Sequence, residues 1–114
     1  MIRQLSGLRA WVVQRLTALY IGVITPPLLW MLASAWQRGE EAWRELFAHS
    51  FISIALLLLF VALLFHAWVG MRDVILDYAG QRPGLRFILL VMLASWLLAL
   101  GLWIARVMLR VMLL

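Results

Sequence analysis

His66, Asp73, Asp77 and Tyr78, with Gly70 among them, are the residues of this chain best suited by type and spacing to chemistry. At about 100° per residue on an α-helix, Gly70 lies about 40° from His66, Asp73 about 20° to the other side, and Asp77 within about 20° again. One helical stripe therefore carries all four, and with a rise of about 1.5 Å per residue Asp77 stands roughly 16 Å along the axis from His66. A neutral imidazole is a usual axial ligand of haem iron. An aspartate beside a tyrosine offers an acceptor and a phenol, which suits hydrogen bonding to a quinone carbonyl and proton relay during its reduction. Gly70, one turn from the histidine, leaves room for a flat ring or for another helix.

Each residue also has a plain structural reading. An imidazole at membrane depth is expensive unless it is paired, lines a polar cavity or binds a metal. For a lone histidine, a hydrogen bond between helices is the commoner use; the functional alternative is a haem ligand in the core of a helical bundle. His49, the other histidine, falls near the far boundary of the same apolar run, where interfacial solvation is its ordinary role. A second axial ligand would therefore have to come from another chain. Asp77 and Tyr78 also fit a capped, solvated helix end with an interfacial tyrosine. Arg15 fits either an orientation signal or a partner for a haem propionate or for Asp77.

The elements that must position these groups are membrane helices. Of 114 residues, 67% are hydrophobic, and the mean hydropathy is +1.02. Residues 16–36, 46–71 and 87–105 contain no Asp, Glu, Lys or Arg, and each can cross a hydrocarbon core that needs roughly 20 helical residues. A transmembrane barrel would show segments of about 10 residues with alternating polarity, whereas these runs are apolar on every face. The expectation is an all-α membrane protein with helices at about 11–36, 47–78 and 85–110, forming one membrane-anchor domain over residues 1–114. No soluble catalytic domain fits beside three spans, so water-phase chemistry falls to partner chains. The absence of cysteine excludes disulfides, thiolate chemistry and cysteine-ligated clusters in this chain. All ten basic residues are Arg, against five acidic ones; beside a bilayer that excess reflects headgroup contact and orientation rather than nucleic-acid binding.

Arg3, Arg9, Arg15, Arg72, Arg82 and Arg86 flank one side of the membrane, while Arg38, Arg44, Arg106 and Arg110 flank the other, six against four. The positive-inside rule then places the N-terminus and the second connection in the cytoplasm, with the C-terminus outside. Ala33-Ser34-Ala35 resembles a signal-peptide cleavage site, but the run from Leu16 is longer than a usual signal core, so it is read as a retained span. Pro26-Pro27 removes backbone donors and predicts a bend in the first helix. Thr17, Gly22 and Thr25 on the first helix, and Ala94, Gly101 and Ala105 on the third, are candidate points of close helix approach. Residues 37–45 read as a short solvated or interfacial turn around Trp43. Gly80 and Pro83-Gly84 break the second connection, and Trp11, Trp36 and Trp43 fit an aromatic belt.

The string His66-Ala67-Trp68-Val69-Gly70-Met71-Arg72-Asp73-Val74-Ile75-Leu76-Asp77-Tyr78 resembles the H-x-W-x-G-[ML]-x-x-[VI]-x-x-D-Y signature of the succinate dehydrogenase hydrophobic membrane anchor subunits. Arg15-Leu16-Thr17-Ala18 is similar to that family's R-x-T-A start of helix one, and the length and three spans agree. The resemblance implies one of two anchors in a four-chain succinate:quinone oxidoreductase of the bacterial inner membrane, half of a haem-binding bundle that a partner subunit completes. It implies that His66 is an axial ligand of haem b, with the opposite ligand on the second cytochrome b anchor, the C subunit. Gly70 would pack the haem, Tyr78 and Asp77 would serve the ubiquinone site, and Arg15 would contact a propionate or the quinone site. FAD and the iron–sulfur clusters would reside on the flavoprotein and iron–sulfur subunits.

Two rivals remain at this point. The anchor could serve a fumarate reductase or another cytochrome b quinone oxidoreductase. Alternatively, the chain could be a small structural or transport helper without haem, whose His66 merely links helices.

Overall fold

The computed structural model describes residues 2–113, with side chains for residues 7–111. Arg3, counted among the basic flanks, has its side chain outside the described residues. Four helices follow in order: α1 (Ile2–Arg38), α2 (Glu40–Ala48), α3 (Ser50–Ala79) and α4 (Pro83–Leu113). Three of them are long and apolar enough to cross a membrane, over Gly7–Arg38, Ser50–Ala79 and Pro83–Val111. The all-α reading with three spans is thus what the chain adopts. A 30-residue α3 is roughly 45 Å long, which exceeds a hydrocarbon core of about 30 Å. Its ends accordingly reach the headgroup layers, where charged residues are tolerated.

The first connection differs from the expected turn. Glu40 and Glu41 fill the first turn of α2, where carboxylates are favourable toward the positive end of the helix dipole. Trp43, Leu46 and Phe47, spaced i, i+3, i+4, give the helix one apolar face. Trp43 packs edge-on against Trp36 at 5.8 Å and at a tilt against Phe47 at 5.3 Å, while Arg44 and Glu40 pair at 2.8 Å on the exposed side. The density of charge in this segment masks its amphipathic helical spacing. Gly39 turns the chain between α1 and α2 with φ +104°, a left-handed conformation that costs other residues.

Helix α1 continues through Pro26 and Pro27 without interruption. Both prolines are exposed, so the carbonyls deprived of donors one turn earlier, on Gly22 and Val23, lie on the outer surface. Packing is carried by α3. It contacts α1 on one flank and α4 on the other, whereas among the described residues no Cα of α1 comes within 8 Å of one in α4. A third of the most apolar stretch of α3 is buried, 33%, against 6% for α1 and 0% for α4. Leu28, Ile52, Leu56, Leu59 and Met108 form the core cluster, edged by Tyr20, Ile24, Met31, Phe60 and Ile104.

Lipid offers no hydrophobic drive between helices, so close packing and interhelical hydrogen bonds must hold this arrangement. Gly101 serves in that way, since a Cβ there would come within 3.2 Å of Leu64 Cδ1. Gly22 does not; a Cβ at that position would meet open space. The α1 residues facing α3 are instead Thr17, Tyr20, Ile24 and Leu28.

Candidate functional site

His66 faces α1. The same stripe of α3 carries Ile52, Leu59 and Ala62, all buried, and at helical periodicity these return to within about 40° of His66. The histidine is half-buried at the α1–α3 seam, with Nδ1 3.2 Å from Thr17 Oγ1. Thr17 also donates its hydroxyl to the Val13 carbonyl at 2.7 Å, with the Gln14 carbonyl at 3.1 Å. Such a bond to a carbonyl one turn back is a common use of threonine within helices.

One turn further along α3, Gly70 lies against Gln14, which precedes Thr17 by one turn of α1. A Cβ at Gly70 would stand 3.3 Å from Gln14 Nε2, and Gln14 Oε1 is buried without a hydrogen-bond partner. Gln14 and Thr17, spaced i, i+3, therefore meet Gly70 and His66, spaced i, i+4, in antiparallel order. On the other side of His66, Leu16, Thr17, Tyr20, Leu58, Ala62 and Phe65 contribute to an apolar trough of about 270 Å³. Tyr20 crosses the seam further down, donating to the Ala55 carbonyl at 2.9 Å.

The other residues picked from the sequence occupy different surroundings. Asp73 and Asp77 are exposed at the end of α3; Asp73 meets Arg72 at 3.4 Å. Tyr78 is 90% exposed and, by helical periodicity, points about 120° away from His66. The helix rise separates the two by roughly 18 Å along α3. Arg15 lies over the Trp11 ring at 5.4 Å, with no carboxylate partner among the described residues. His66 and Gly70 are thus drawn together with α1, while Asp77, Tyr78 and Arg15 are displayed on the outside of the same end of the bundle. Gln14 and Tyr20 were not singled out from sequence. Their signal was a polar group recurring at helical spacing with Thr17, on one face of an otherwise apolar helix.

Among the described residues no three His, Cys, Asp or Glu side chains converge into a metal site. His49 is exposed at the extended joint between α2 and α3, 17 residues before His66 and so roughly 25 Å away along the helix. The two histidines cannot serve one ligand plane. Chemistry at His66 therefore draws on a single imidazole with one nitrogen engaged by Thr17.

A family model described as succinate dehydrogenase/fumarate reductase transmembrane subunit matches residues 1–105. The succinate dehydrogenase hydrophobic membrane anchor subunit of Coxiella burnetii (strain RSA 493 / Nine Mile phase I) is 34% identical over 77 residues, which are 68% of this chain and 67% of that protein.

Proposed function

Because the chain belongs to the succinate dehydrogenase/fumarate reductase transmembrane subunit family, we propose that it anchors a succinate:quinone oxidoreductase in the bacterial inner membrane, holds half of a haem b site and contributes to quinone reduction. Of the two reactions in the family's description, the named relative favours succinate oxidation. The chain itself is a non-catalytic subunit. Succinate chemistry, FAD and the iron–sulfur clusters belong to the flavoprotein and iron–sulfur subunits, and a second anchor completes the bundle.

The observation that carries this reading is the state of His66. Its Nδ1 is engaged by Thr17 at 3.2 Å, which leaves Nε2 as the ligating nitrogen, and ligating histidines commonly have their other nitrogen held in this way. The side chains beside Thr17 on this face, Leu16, Leu58, Ala62 and Phe65, are apolar, and such surroundings suit a porphyrin edge better than a hydrated ion. His49 stands roughly 25 Å away along α3, so a second ligand to such a haem would be supplied by the partner anchor. A haem b held there supplies a one-electron redox centre.

The remaining residues act at the surface. Tyr78 donates its phenol hydrogen to a quinone carbonyl, and Asp77 accepts or passes on a proton beside it. Their exposure suits a site that closes only when the iron–sulfur subunit and the second anchor cover this end. Arg15, at the same end, offers its guanidinium to a propionate or to the quinone site. Gly70 supports haem binding by letting α1 approach. The N-terminus and the α3–α4 turn face the cytoplasm, as the arginine balance favours.

The visible difference spectrum of the purified complex, reduced minus oxidised, tests the reading. Wild-type complex shows bands of a bis-histidine haem b, and His66→Ala loses them. Normal haem content in that variant would overturn the ligand assignment.

A further inference from the structure

We infer that Thr17 is a positioning residue that fixes the tautomer and plane of His66, so that Nδ1 carries the proton and Nε2 presents its lone pair to iron. The inference rests on His66 being the haem ligand, and it adds a residue on a different helix to that reading.

A hydroxyl has one proton and two lone pairs. Thr17 directs its proton into its own helix, since Oγ1 lies 2.7 Å from the Val13 carbonyl with the Gln14 carbonyl at 3.1 Å. A backbone carbonyl accepts and cannot donate, so the proton on that path belongs to Thr17. Toward His66 Nδ1, at 3.2 Å, the hydroxyl then has only lone pairs to offer. The bond forms when Nδ1 is the donor. In a neutral imidazole with a protonated Nδ1, Nε2 is the acceptor nitrogen.

Thr17 suits this task through its shape as well as its oxygen. A β-branched side chain in a helix has few χ1 choices, and a hydroxyl bonded one turn back occupies one of them. The acceptor is therefore held still before the histidine meets it. Gly70 supplies the third element, because with no Cβ it lets the Gln14 side chain of α1 come within 3.3 Å of the Cβ position. That close approach brings Thr17 within reach of the imidazole. An acceptor on Nδ1–H increases the electron donation of the ligating nitrogen, which favours ferric over ferrous iron.

The test uses the whole complex carrying Thr17→Ser, Thr17→Val or Thr17→Ala, with haem content, haem midpoint potential and the ferric low-spin EPR spectrum as readouts. Serine keeps the hydroxyl and behaves as wild type. Valine keeps the volume and alanine leaves a small gap; both raise the midpoint potential, alter the EPR g-values and weaken haem retention by about 10- to 100-fold. Whichever of the two assembles in better yield reports the loss of the hydroxyl. Wild-type potential and g-values in either variant would overturn the inference, and so would equal changes in the serine variant, which would mark a role in packing. Failure of the underlying reading is separate, since it appears as normal haem in His66→Ala.

Discussion

Gly70 of α3 and Gln14 of α1 close the seam beside the histidine: a Cβ on Gly70 would lie 3.3 Å from Gln14 Nε2. The room that a missing side chain leaves next to His66 is thus taken by a carboxamide from the neighbouring helix. Gly70 acts on His66 by setting the distance between α1 and α3, on which the Thr17 contact depends.

Substitutions at Gly70 should therefore be graded by size. Alanine asks the flexible end of Gln14 to yield by a few tenths of an ångström, and alanine's better helix propensity offsets this by about 0.5–1 kcal/mol. Gly70→Ala should be close to neutral in thermal midpoint and haem-to-protein ratio of the purified complex. Gly70→Leu forces the helices apart, costs about 1–3 kcal/mol and should lower haem content together with stability. Equal tolerance of alanine and leucine would show that α1 does not approach α3 at this level.

Tyr20 provides the second polar tie across the seam, from its hydroxyl to the Ala55 carbonyl at 2.9 Å. Tyr20→Phe keeps the ring and removes the bond. Interhelical hydrogen bonds in membranes are worth about 0.6 kcal/mol, with a maximum of about 1.7, and Ala55 retains its own helical bond. Detergent-solubilised complex should lose stability within that range, read from its unfolding midpoint, with an unchanged haem spectrum.

At the opposite face of the membrane, Gly39 alone among the described residues has a positive φ, +104°. A Cβ there has space, so the cost of Gly39→Ala is conformational and amounts to about 1–3 kcal/mol. It should loosen α2 and make the α1–α2 joint more susceptible to proteolysis in reconstituted bilayers. Haem content should not change, because His66 lies past the middle of α3, roughly 25 Å along the helix from the α2–α3 joint.

The sequence made the spans legible because three apolar runs without charge leave few alternatives to membrane helices. It also made the stripe from His66 through Gly70 and Asp73 to Asp77 legible, since periodicity alone defines who shares a face. Two kinds of information were beyond it. Residues 37–45 looked like a turn because charge outweighed the apolar spacing of Trp43, Leu46 and Phe47, which becomes visible only once the segment is helical. The partners across the seam were likewise hidden, because the register of α1 against α3 decides that Thr17 meets His66 and Gln14 meets Gly70. Periodicity along one helix carries no information about that register. Gly22, the more obvious packing residue by type, points into open space for the same reason.

Tyr78 offers the sharpest separation of the quinone role from assembly. It is 90% exposed, so the chain's own fold makes no use of its hydroxyl, and Tyr78→Phe should leave subunit content and thermal midpoint unchanged. Succinate oxidation with an artificial acceptor that takes electrons before the membrane should also be unaffected. Quinone reduction should fall by about 100-fold or more, the usual scale for removing a positioned proton donor, and the haem spectrum should persist because the side chain stands roughly 18 Å along α3 from His66. Parallel loss of both activities would mean that the tyrosine supports docking of the soluble subunits, and retention of both would place the quinone elsewhere.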